Sequence, residues 1–389
     1  MEKPTIIERS FQGWKIWLGV AIGLLVAGLM LYSSITATRF IEAEKGKGSY
    51  RWEDRNHNKH IDLADTHEFI YDSNGTYRKQ TVSDALRQIH WTPSSFLWIF
   101  VALCCVVGRD FFYMLRIRLL THKELTWKAS FYVIMLWEFA SALSPGVVGG
   151  VAVAMFILNK EKIDLGRSTA IVLITAMMDN LFYVLMIPFV FLFIDSSTLF
   201  PDHSFGSSSV QVIFWTGFFV FLGLTIFLFT SLFIVPSFAQ HFLGFIVRIP
   251  FLKRWKTKAL STGENIEKTA HLMRKEPFLY WIKVFLATCG SWISRYLVIN
   301  ALLQAFLQLG LLDHILLLGK QLVLWLLMRV SPTPGGSGIA EYAFGELLVD
   351  FSQSALLLAS LAIVWRLMSY FPYLFIGAFL LPRWLRKRA

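Results

Sequence analysis

The segment Ser331-Pro332-Thr333-Pro334-Gly335-Gly336-Ser337-Gly338 sits between two apolar runs, His314–Val330 and Ile339–Val349. Its two prolines remove amide donors and its three glycines relax the backbone, so a helix ends near Val330 and another starts near Gly338. Hydrocarbon offers no partner to the freed amides and carbonyls, so such a break is tolerated only against protein or along a cavity. The chain uses the device twice: Ser144-Pro145-Gly146, with Gly149-Gly150, interrupts Phe131–Leu143 and Val147–Leu158. Interrupted apolar segments in corresponding halves point to the binding site of a transporter built from internal repeats.

That the runs lie in a membrane follows from their number. Hydrophobic residues make up 55% of the chain and charged residues 16%, which leaves a soluble globule no plausible surface. The formal charge is +11, and the excess falls in short loops beside apolar runs, where it reads as positive-inside topology and contact with anionic lipid, with no nucleic acid as partner. Cys104, Cys105 and Cys289 lie inside apolar runs and suit neither a disulfide framework nor a thiolate metal site.

In chain order, Trp14–Ile35 reads as an uncleaved first span within an anchor region, residues 1–38, preceded by Lys3 and Arg9, which places the amino terminus in the cytosol. Residues 39–92 form a polar extracytoplasmic insert, in which His67–Asp72 and Thr76–Thr81 are expected to pair as a hairpin around Asn74-Gly75. Residues 93–389 form the main membrane domain. Ser95–Leu119 runs inward, Ser168–Ile194 outward, Val210–Val235 inward, Phe278–Leu307 outward and Ser354–Leu381 inward, ending in a basic cytosolic tail. Each arm around Ser144-Pro145-Gly146 has about 13 residues, about 20 Å as helix, too short to cross a core of about 30 Å, so both broken stretches are expected to be re-entrant hairpins. His314–Val330 is the ambiguous arm. The fold class expected is all-α and polytopic, with six full spans and two hairpins entering from opposite faces, in inverted repeats Ser95–Ile194 and Phe278–Leu381. The basic loop 236–277 interleaves charged and apolar residues, as interfacial helices on anionic lipid do.

Within the insert, Asp54, Asn56, Asn58, His60, Asp62 and Asp65 follow the ligand spacing of a calcium loop, although Lys59 stands where glycine makes the turn and Asp65 where a glutamate closes the site. A weak Ca2+ site and a solvated Asp/Asn-rich turn both fit.

Eight charged residues fall inside apolar runs: Arg109, Asp110, Glu138, Asp179, Arg295, Lys320, Arg329 and Arg366. Each costs about 2.5–3.5 kcal/mol or more at the centre of a spanning helix, so they are expected to pair or to face a shared polar cavity. Arg109 and Lys320 have the alternative of snorkelling toward an interface. The candidate binding set is Arg366, Arg295, Arg329, Asp179 and Glu138 with the breaks, namely Pro145, Gly146, Pro334, Gly335, Gly336, Gly338 and Glu341. A half-helix starting at mid-membrane presents free amides and a positive dipole end to an anion. The glycines equally serve close helix packing, and Glu341 equally serves as a cap. No nucleophile elbow, phosphate-binding loop or His/Cys metal spacing competes, which argues against an enzyme.

The P-x-P-G-G-x-G-x-x-E pattern at Pro332–Glu341, the earlier S-P-G break and the late intramembrane Arg366 resemble the flippase-like family related to the membrane region of lysylphosphatidylglycerol synthases, over roughly Phe96–Leu385. The resemblance implies lipid translocation or handling in the bacterial inner membrane. It does not extend to aminoacylation, since the sequence ends at Ala389 without an aminoacyl-transferase domain. A phospholipid or lipid-linked anion is the implied substrate, and a homo-oligomer is left open. Two other readings stay beside it: a membrane-embedded transferase acting on a lipid-linked substrate, and a structural membrane protein with a calcium-ordered outer module.

Overall fold

The apolar runs fold as helices, since a backbone without water must satisfy its own amides. The computed structural model describes residues 21, 25, 28, 29, 32, 40–43, 47–55, 61, 66–81, 83, 84, 91–143, 148–200, 207–235, 237–246, 260, 261, 264, 267, 268, 271, 276–331, 333–352 and 354–388. The described positions of the first apolar run, such as Leu25 and Leu29, are helical and exposed. Most of the proposed calcium loop, Asn56, Asn58, His60, Asp62 and Asp65, lies outside the described residues; Asp54 is half-buried.

The main domain is helical throughout: α1 (Pro93–Leu120), α2 (Trp127–Leu143), α3 (Val148–Lys160), α4 (Leu165–Phe191), α5 (Ser207–Phe229), α6 (Phe238–Ile246), α7 (Phe278–Gln304), α8 (Leu311–Val330), α9 (Ile339–Leu347), α10 (Ala355–Ser369) and α11 (Phe371–Arg388). Local sequence fixes several ends. Thr92 and Ser95 form a reciprocal capping box ahead of α1, and Asp164 accepts the Gly166 and Arg167 amides to start α4. Among the described residues, six segments are long and apolar enough to cross a membrane, so the chain is an all-α, multi-pass membrane protein.

Two boundaries differ from the sequence reading. The arm before the second break is α8, whose 20 residues span about 30 Å, so its length alone does not make it a short arm. Ser354–Leu381, read as one span, is two helices that meet at Tyr370, where φ −126° and ψ −59° interrupt the helical backbone. The stretch 144–147 between α2 and α3, with Pro145 and Gly146, lies outside the described residues.

The insert is a four-stranded antiparallel sheet, β1 (Phe40–Glu42), β2 (Tyr50–Trp52), β3 (Phe69–Tyr71) and β4 (Tyr77–Lys79), in the order β1-β4-β2-β3. The expected hairpin is corrected here. The Asp72–Gly75 turn forms, with the Gly75 amide donating to the Asp72 carbonyl at 2.9 Å, yet β3 pairs with β2 and β4 pairs with β1 and β2. The reason is steric and local: Gly75 lies so close to β2 that a Cβ there would come within 2.2 Å of the Tyr50 carbonyl oxygen. That close approach lets β2 enter between the two strands. Phe40, Phe69 and Tyr77 form the small core. Arg78 clamps Asp84 through two hydrogen bonds of 2.6 and 2.8 Å; it and then Thr81 hold the Asp84 carboxyl well below the usual carboxylate range.

In the bundle, α1 and α7 run antiparallel in the most extensive helix contact. Glycines allow it: a Cβ on Gly290 would meet the Phe112 ring at 2.6 Å. Two apolar cores fill the bundle. One joins α2, α3, the first half of α4 and α11; the other joins the second half of α4, the second half of α7, α8, α9 and α10. On α4 the seam falls between Met178 and Phe182, where Asp179-Asn180 stands; on α10–α11 it falls between Trp365 and Tyr370, where Arg366 stands.

Candidate functional site

At that seam is a cavity of about 330 Å³. Arginine stands at five positions in its wall, Arg109, Arg116, Arg295, Arg329 and Arg366, against the carboxylates Glu138 and Asp179. Helical spacing gathers them. Arg109, Tyr113 and Arg116 recur at intervals of four and three along one face of α1, and Thr175 and Asp179 are four apart on α4.

Each arginine lies over an aromatic ring and four of the five meet a carboxylate. Arg109 pairs with Glu138 and sits 4.6 Å from the Tyr373 ring centroid. Arg295 reaches the same Glu138 at 3.8 Å, donates to the Tyr113 hydroxyl at 3.1 Å and stacks on Trp292. Arg116 donates to Asp179 Oδ1 at 2.5 Å, and the Trp292 indole donates to the same oxygen at 2.8 Å. Arg366 lies 3.8 Å over the Tyr370 ring with Nε 2.8 Å from Glu341 Oε1, and it donates to the Gly335 carbonyl at 3.2 Å and Ser337 Oγ at 3.1 Å. Arg329 stacks on Trp325 and Phe221 and donates to Asn180 Oδ1 at 3.3 Å.

The second break is built into this wall. Gly335 and Gly336 line the cavity with φ of +58° and +68°, in the left-handed region that glycine enters without strain. A Cβ on Gly335 would lie 2.1 Å from the Tyr370 ring. The Tyr370 hydroxyl points to the Ala142 carbonyl at 3.2 Å and the Pro334 carbonyl at 3.5 Å, so one side chain ties the end of α2 to the second break. Glu341 caps its own helix: its Oε2 accepts the Gly338 amide at 2.7 Å, so its carboxylate takes the place an anion would take at that helix start.

Among the residues singled out from sequence, Arg295, Arg329 and Arg366 line the cavity with Asp179 and Glu138, as do Gly335 and Gly336. Pro334, Gly338 and Glu341 lie behind the wall, within the break, and Pro145 and Gly146 fall outside the described residues. Asp110 accepts from the Tyr373 hydroxyl at 2.8 Å, and Lys320 pairs away from the cavity with Asp350. Sequence reasoning missed Arg116, near the inner end of its span, although its spacing from Arg109 was the available signal. It also passed over Tyr370 and Tyr373, which read as ordinary apolar-run aromatics.

A polytopic bundle with a basic, aromatic-walled cavity between two apolar cores defines a membrane protein class in which the site lies within the bundle. Residues 76–377 match the family described as the lysylphosphatidylglycerol synthase TM region, and the chain belongs to that family. It is similar to a UPF0104 membrane protein of Archaeoglobus fulgidus, at 26% identity over 293 residues covering 73% of this chain and 86% of that one. No solved structure matches the chain.

Proposed function

We propose that this protein is a flippase-like lipid transporter of the cytoplasmic (inner) membrane, which takes the anionic head group of a phospholipid or lipid-linked substrate into the arginine-lined cavity while the acyl chains stay in the bilayer. The observation that carries the reading is the charge around the cavity: five arginines in its wall outnumber the carboxylates they meet, Glu138 and Asp179 in the wall and Glu341 behind it, in an apolar surround. In hydrocarbon such a surplus is costly unless an anion completes it. The family's description, which names a synthase of a phosphatidylglycerol-derived lipid, supports the same ligand class.

In this reading both breaks are re-entrant, both termini and the basic stretch 236–277 face the cytosol and its anionic lipid, and the sheet 39–92 lies outside. Cysteines introduced at Ser207 and Lys258 then label from opposite sides, Ser207 from outside. The function is tested in proteoliposomes carrying leaflet-resolved fluorescent phosphatidylglycerol. Faster redistribution of unaltered lipid than in protein-free vesicles supports transport; an unchanged rate sinks it, and conversion to a new lipid species favours a membrane-embedded transferase.

A further inference from the structure

The five arginines are not equivalent. Arg109 and Arg295 share Glu138, Arg116 has Asp179, and Arg366 has Glu341 and donates to the break it braces. Arg329 makes no ion pair among the described residues; its hydrogen bond goes to the neutral amide of Asn180. Asn180 stands about 22 Å along α4 from its first residue, so this charge is deep in the bundle. Among the described residues two hydroxyls in the same wall lack a hydrogen-bond partner, Thr175 Oγ1 and Tyr296 Oη, on residues 4% and 5% exposed; the Nε groups of Arg109, Arg295 and Arg366 also lack one, but each of those guanidinium groups has a carboxylate beside it. Native interiors rarely leave such hydroxyls unmet, and unpartnered hydroxyls sharing a cavity wall with a cation that has no ion pair describe the complement of an oxyanion.

We infer that Arg329 is the arginine that binds the ligand's phosphate directly, with the Thr175 and Tyr296 hydroxyls as further donors, while the protein's own carboxylates hold the other four in place. This rests on the reading of the cavity as a head-group site. The shared chemistry is a phosphate oxyanion, from a lipid head group or from free phosphate. The Arg329 guanidinium carbon lies 4.5 and 4.8 Å from the Trp325 and Phe221 ring centroids, so the two rings hold the cation in the wall, where its fork suits two phosphate oxygens.

The test compares wild type, Arg329→Gln, Arg329→Lys and Arg366→Gln as full-length protein in phosphatidylcholine nanodiscs, reading Tm as phosphatidylglycerol or inorganic phosphate is added. Removing a charge that has no ion pair relieves the protein without ligand, whereas removing a paired one strands its partner. Arg329→Gln is therefore expected to melt at or above wild type in pure phosphatidylcholine and to lose at least two-thirds of the Tm rise that phosphatidylglycerol gives wild type. Arg329→Lys keeps part of that rise, and Arg366→Gln melts lower even without anionic lipid. A Lys256→Gln/Lys258→Gln control retains the rise. An Arg329→Gln protein that keeps the full rise, or melts as low as Arg366→Gln in phosphatidylcholine, overturns the inference while the head-group reading stands. A response to inorganic phosphate alone that needs Arg329 supports the inference and removes the lipid. If neither probe moves wild type, the head-group reading itself falls, and this inference with it.

Discussion

Arg366 and Glu341 show what a mid-membrane charge does when the protein supplies its partner. The guanidinium meets Glu341, donates to Gly335 and Ser337 and lies over Tyr370, so its role is to close the broken backbone against α10. Arg366→Ala strands the Glu341 carboxylate, which is 1% exposed, and is expected to cost about 3–5 kcal/mol. Adding Glu341→Gln restores most of that loss, because the amide still accepts the Gly338 N–H; thermal unfolding of both single variants and the double checks it. Rescue by Asp179→Asn instead would contradict the pairing, since Asp179 belongs to Arg116. Sequence revealed Arg366, Arg329 and Glu138 because a charge in an apolar run must have a reason. It concealed Arg116 because the positive-inside rule already offered one.

Elements were legible where a local rule had no competitor. Long apolar runs became helices, and Thr92 and Asp164 capped them. A turn formed at Asp72–Gly75, but with Ser73 and Asn74 at its centre and not Asn74-Gly75 as read; strand pairing is non-local, and the close approach of Gly75 to Tyr50 let β2 displace the expected neighbour. The Arg78–Asp84 clamp gives the sheet a pH dependence of definite sign. Because the folded carboxyl is shifted down, its contribution is complete above the unfolded value of about 3.9 and is lost as pH falls below it. Amide hydrogen exchange at Tyr77–Lys79 is therefore expected to be slower at pH 6 than at pH 3 after correction for intrinsic rates, and Asp84→Asn should remove the difference. Equal protection at both pH values in wild type would count against the clamp. For the second break, α8 is long enough to cross, so the re-entrant reading rests on Arg329 in its last turn meeting Asn180, far from either end of α4. A cysteine at Thr333 is expected to resist membrane-impermeant reagents from both sides. Ready labelling from the cytosol would make α8 a complete span.

At the scale of the whole molecule, the two candidate repeats exchange their ends: the second half of α4 packs with α8–α10, and α11 packs with α2–α4. The cavity lies where the exchanged segments cross, and Tyr370 joins the end of α2 to the second break there. The candidate repeats were drawn from apolar runs and loop charges, which say nothing of the exchange, because apolar side chains carry no address for one core over the other. The joint at Tyr370 did have a local signal that the reading passed over: Pro372, two residues on, removes a helical amide donor and suits the first turn of α11. The central proposal is that this cavity takes an anionic lipid head group. The most direct test is to purify the full-length protein in mild detergent and identify by native mass spectrometry the lipid that stays bound. The account predicts an acidic glycerophospholipid or lipid-linked phosphate retained by wild type and lost in Arg329→Gln; recovery of only zwitterionic lipid, at equal occupancy in both proteins, would contradict it.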